Sequence, residues 1–168
     1  MNKIFYSMLA AVFLGGCVAG DSAIRADYAK RYSQNPQYVK IYQDKINDQD
    51  VNALAVNAAK AEKSKMHGQK RFKVNDFIYV EDVKSNANSV VFEYSLTDKW
   101  FKKSKQRQLN DQQSMQKDLI YRTCSLKTVL LAQQKGLEEV HHYYKNYPDQ
   151  IEFSLKSNLQ LCQQHGFI

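Results

Sequence analysis

The sequence predicts an α+β fold: an antiparallel sheet of about four to five strands with helices packed on it, preceded by a helical N-terminal segment. Three observations lead there. Val74 to Leu96 is rich in β-branched and aromatic residues, and Val90, Phe92, Tyr94 and Leu96 alternate with polar neighbours. Leu137 to Leu155 returns to that character near the end of the chain. Between and before these stretches, apolar residues recur at helical spacing. Strands joined by tight turns pair antiparallel, and helices must cover a face of the sheet.

The elements follow in order. Residues 18–34 are polar with scattered alanine and tyrosine, and read as a tether. Asn35-Pro36 is a helix start, an N-cap followed by proline at the first helical position. Tyr38, Ile41, Tyr42 and Ile46 then form one apolar stripe. Asp48 or Asp50 caps a second helix through Val51, Leu54, Ala55, Ala58 and Ala61, stopping near Gly68. These two helices form either a hairpin or one bent element. The strand pair around Ser85-Asn86-Ala87-Asn88 is a hairpin, because those residues favour turns. Asn110 or Asp111 caps a helix carrying Met115, Leu119, Ile120 and Thr123. Ser125 caps a shorter one that Gly136 closes as a C′ glycine. Tyr147-Pro148-Asp149-Gln150 turns the chain between the last two strands. The expected division is a leader over 1–16, a tether over 17–34, a helical segment over 35–71 and an α+β domain over 72–168.

The leader is read from one lysine, Lys3, and an apolar run from Ile4 to Leu14 broken only by Ser7. That run is shorter than the roughly 20 apolar residues that span a bilayer, and it fits a secretory signal peptide. Its end, Leu14-Gly15-Gly16-Cys17, resembles the bacterial lipobox, which implies cleavage before Cys17 and acylation of its thiol. Several acyl chains together anchor stably, where one alone is marginal. Val18 follows the cysteine, where an aspartate signals retention in the inner membrane of well-studied lipoproteins. The expected location is therefore the outer membrane, lipid-anchored and facing the periplasm.

In that oxidising compartment the two remaining cysteines, Cys124 and Cys162, read as one disulfide. Closing a loop of about 38 residues is worth roughly 4 kcal/mol on chain-entropy arithmetic. The formal charge of +7 suggests anionic lipid or an acidic protein as partner. Nucleic acid is not expected in the periplasm. Five positive charges surround Trp100 and Phe101 in Lys99-Trp100-Phe101-Lys102-Lys103-Ser104-Lys105-Gln106-Arg107. Trp100, Phe101, Lys102, Lys103, Lys105 and Arg107 are thus a candidate contact surface, suited to a water–lipid boundary. The alternative is a solvated loop with Trp100 turned into the core.

No constellation for catalysis stands out. There is no nucleophile elbow, no phosphate-cradling glycine loop, and no metal pattern. His141 and His142 are neighbours on a strand and point to opposite faces, so they cannot easily share a metal. No cofactor is expected, and the chain reads as non-enzymatic.

One longer pattern remains. A first strand over residues 72–84 turns into a second, Val90-Val91-Phe92-Glu93-Tyr94-Ser95-Leu96. A helix ending Tyr121-Arg122-Thr123-Cys124 follows, then a short helix and Gly136. The aromatic strand Val140-His141-His142-Tyr143-Tyr144, a turn, a last strand and Cys162 complete it. This order resembles small periplasmic α+β lipoproteins that include pilotins, which escort type II secretion secretins to the outer membrane. The resemblance covers roughly residues 50–162. It departs from the compact pilotin plan in the extra segment at about 18–50 and in the basic insert after Leu96. It implies a protein partner, held through a groove that in pilotins takes a short amphipathic helix from a secretin. Exclusion or immunity at the envelope is an alternative role, and an envelope enzyme or inhibitor a third.

The strands also carry large residues on both faces. Phe77, Tyr79 and Val83 share one with Glu81, while Ile78 and Val80 point the other way. Two mid-chain helices are expected on one face. The helical segment at 36–66, or an external helix, is expected on the other.

Overall fold

The computed structural model describes residues 20–168; the expected leader and Cys17 lie outside them. Three helices lead: α1 (Asp21–Arg31), α2 (Pro36–Asn47) and α3 (Val51–Ser64). The strands β1 (Phe72–Lys73), β2 (Ile78–Asn86) and β3 (Ser89–Leu96) follow. Next come α4 (Asp98–Phe101), α5 (Lys105–Ser125) and α6 (Lys127–Gln134), then β4 (Glu138–Asn146), β5 (Gln150–Ser157) and α7 (Leu159–Gln164).

The fold is α+β, and its five strands lie in sequence order, β1-β2-β3-β4-β5. The sheet is mixed. Three neighbouring pairs are antiparallel, but β3 and β4 run parallel, with Phe92 beside His141 and Tyr94 beside Tyr143. The connection between those two strands contains α4, α5 and α6, and a long helical crossover is what brings a chain back parallel.

Helix starts follow local chemistry. The Asn35 side chain accepts from the Gln37 amide at 2.8 Å, with Pro36 in the first turn. Asp50 accepts from the amides of Asn52 and Ala53. The helix expected from Asn110 begins earlier, because the Ser104 hydroxyl accepts from the Arg107 amide. Ser125 ends α5 rather than capping α6. Gly136 takes the positive φ of 95° that turns the chain from α6 into β4. The segment read as a tether contains α1, with Asp21 in its first turn and Lys30 and Arg31 in its last, matching the helix dipole. Tyr28 of α1 packs edge-on against Tyr121 of α5 and donates to Asp118.

The expectation of helices on both faces is corrected. Val90, Phe92, Tyr94 and Leu96 share one face of β3; the first two pack with α2, α3 and α6, the last two with α4 and α5. A bulge between Val80 and Asp82 shifts the phase of β2. Val83 therefore joins Val80 in the cluster with Leu54, Ala55 and Ala59 instead of opposing it. The residues expected to form a separate helical segment thus share a core with the strands. On the opposite face Glu93 is 2 % exposed. It accepts from the hydroxyls of Tyr144 and Tyr147 and pairs with Lys84, so polar contacts within the sheet satisfy it without a helix.

Candidate partner-binding groove

Two sets of contacts fix α2 against α6. The Gln34 side chain exchanges hydrogen bonds with Thr128 at the start of α6. Lys135 at its end donates to the carbonyls of Ile46 and Asn47, which close α2. With α3 and the α5–α6 corner, α2 walls a cleft of ≈ 530 Å³. Tyr38, Tyr42 and Ile46 line it from α2, Leu54, Ala58 and Ala61 from α3, and Val129 and Ala132 from α6. The small alanines on α3 leave the space open. Val90, Phe92, Tyr94 and His141 form the floor.

The floor is aromatic and ordered. Tyr94 stacks on Tyr143 at 4.7 Å, and Tyr143 on Phe153 at 4.5 Å. His141 sits against the rings of Phe92 and Tyr94. Burial pushes the Tyr94 phenol well above its ordinary range, with Tyr143 and Glu139 adding to it.

The lining is mixed: Lys45, Gln49, Asn57, Glu62 and Lys65 ring the cleft from α2, α3 and the residues flanking them, and one polar knot sits at its floor. Glu139 Oε1 lies 2.8 Å from His141 Nε2 and accepts from Arg122 Nη2 at 3.3 Å. Burial works against charge on Glu139. The hydrogen bond from His141 and the positive charge of Arg122 outweigh it and hold the carboxyl below its ordinary range. Arg122 is held above its own ordinary range: burial opposes its charge and Glu139 outweighs that. A groove with an aromatic floor and a fixed ion pair suits recognition of an amphipathic segment. Among the described residues no group of three His, Cys, Asp or Glu could hold a metal.

The structure divides the residues expected to form one contact surface. Trp100 is 1 % exposed and packs with Ile78, Leu119 and Tyr143, so it is core and no contact residue. Phe101 is half-buried. Lys103 lies 3.6 Å over the Phe77 ring and pairs with Asp111, which also takes Arg107. Lys102 and Lys105 are exposed. Cys124 and Cys162 are joined, with Cα atoms 5.5 Å apart, and the bridge ties the end of α5 to α7 among Ile120, Tyr121 and Leu161. His142 points away from His141 and bonds Ser154.

Arg122, Glu139 and Tyr94 were not legible as a site. Seventeen positions separate Arg122 from Glu139, and only the parallel pairing of β3 with β4 brings Glu139 and His141 beside Phe92 and Tyr94.

No protein-family model matches the chain, and no curated protein matches it in sequence. Solved structures resemble it in fold. A candidate secreted protein of Pseudomonas aeruginosa is 12 % identical, with a TM-score of 0.50 over 69 % of this chain and 99 % of the other. The type II secretion pilotin EpsS of Vibrio vulnificus is 16 % identical, with a TM-score of 0.49 over 67 % and 92 %. The pilotin AspS of Vibrio cholerae is 12 % identical, with a TM-score of 0.46 over the same shares. At these identities the likeness is one of fold.

Proposed function

We propose that this chain is a non-enzymatic, lipid-anchored envelope protein that holds an amphipathic helix of a secretin-type partner in the groove above Phe92 and Tyr94. The observation that carries the reading is the groove itself, a cleft of ≈ 530 Å³ with an aromatic floor over the sheet and polar side chains along its walls. A helix laid there buries its apolar side on the rings and alanines, and its polar side meets Arg122 and Glu139. The lipobox-like run ending in Cys17 and the Cys124–Cys162 bridge support an exported, outer-membrane location. Among the described residues no helix is long and apolar enough to cross a membrane, so in this reading attachment comes from acylation of Cys17.

Site-specific photocrosslinking in intact envelopes tests it. A crosslinker at Ala58, on the groove wall, should capture the C-terminal helical region of a secretin. The same probe at Lys40 on the outside of α2 should not. Equal capture from both positions, or capture from neither, contradicts the groove as the binding site.

A further inference from the structure

The basic segment after β3 is sorted by the fold into spent and unspent charges. Between Asp98 and Asp111 there are five cations and two carboxylates. Lys99 is taken by Asp76, and Lys103 and Arg107 by Asp111. Lys102 and Lys105 are exposed and make no ion pair among the described residues. A third exposed lysine joins them from far along the chain: Lys145, at the end of β4, reaches over the Phe101 ring at 5.8 Å. Sequence reading did not include it.

We propose that this corner, Lys102, Lys105 and Lys145 around half-buried Phe101, is a docking surface for anionic phospholipid. The charge is complementary to lipid phosphates. Its chemistry also favours a fluid surface over a fitted protein site. The nearby arginines, Arg71 and Arg107, are already held by Glu81 and Asp111. The free cations are all lysines, mobile point charges without the forked geometry that reads a fixed carboxylate. The corner is formed by a four-residue helix, the start of α5 and a strand end. Phe101 lies between the charges, where a half-apolar ring meets the headgroup boundary.

The position has a consequence for the groove. Glu139 on the groove floor and Lys145 at the corner lie at opposite ends of β4, six residues or roughly 20 Å apart at the rise of an extended strand. The corner can rest on a bilayer while the groove stays open.

The test is vesicle flotation with the chain from Cys17 onward, which keeps every described element, carrying Cys17→Ser so that no acyl chain contributes. It should bind vesicles of phosphatidylcholine mixed with phosphatidylglycerol at low salt, and not phosphatidylcholine alone. Replacing Lys102, Lys105 and Lys145 with Gln should weaken that binding about a hundredfold, since each lysine near an anionic surface contributes roughly a fivefold factor. Lys30, Lys40 and Lys60 changed to Gln remove the same charge elsewhere and should leave binding nearly intact. Circular dichroism checks that both triple variants fold. An equal loss in both would make this a net-charge effect and overturn the proposal. Absence of binding to anionic vesicles would also overturn it, and crosslinking of these lysines to an acidic envelope protein would reassign the corner. None of these outcomes depends on whether a helix fills the groove.

Discussion

Arg122 and Glu139 meet on the floor of the groove, where Nη2 donates to Oε1 at 3.3 Å while His141 Nε2 approaches the same oxygen. The side chains are 33 % and 16 % exposed, so the pair is only partly screened by water. A largely buried charge pair is costly unless each partner stays matched.

Changing Glu139 to Gln removes the negative partner at constant shape. It should cost about 1–3 kcal/mol at neutral pH, because Arg122 keeps its charge with weaker compensation. The folded carboxyl sits below its ordinary range. Its contribution is therefore fully present above the unfolded pKa and is lost as pH falls through the folded one. Urea titrations at several pH values should show the gap between the two proteins narrowing below the ordinary carboxylate range. A gap that widens on acidification contradicts this account of the pair.

Trp100 is the single tryptophan, so its fluorescence reports one site. Being 1 % exposed, it should emit in the blue, resist quenching by acrylamide, and shift red on unfolding. Trp100→Ala should cost about 3–5 kcal/mol through the cavity it leaves. Solvent-like emission from the native protein would return Trp100 to the surface.

Reduction of the Cys124–Cys162 bridge should lower stability by about 4 kcal/mol, as expected for a cross-link that closes a loop of this length. Paired Cys→Ser variants should unfold at the same lower urea concentration as the reduced protein. The loss should appear first as loosening of α7, because that helix is held to α5 through Cys162, Leu161 and Phe167. Hydrogen exchange in residues 159–164 reads this directly.

Much of this fold was legible because the signals were local. Asn35-Pro36 and Asp50 announced their helices by side chains that reach the amides two or three residues on. Val90, Phe92, Tyr94 and Leu96 declared one face by period alone. What was not legible depended on contacts far apart in the chain. Nothing near Ser89 says that it will run parallel to Glu138. Nothing near Glu81 announces a bulge that turns Val83 toward α3. Trp100 among lysines read either as a contact residue or as core, and only its neighbours in space, Leu119 and Tyr143, decide for core. The groove needed both kinds of information, and only the shared face of Val90, Phe92 and Tyr94 was readable, in the alternation of β3.

The central claim is that the groove above Phe92 and Tyr94 takes an amphipathic helix, and calorimetric titration tests it most directly. A synthetic peptide of a secretin's C-terminal helix should bind the intact chain, and Ala58→Trp, which fills the cleft beside Leu54, should abolish binding while the thermal transition stays within a few degrees. Undiminished binding by Ala58→Trp, with the fold intact, would contradict the account.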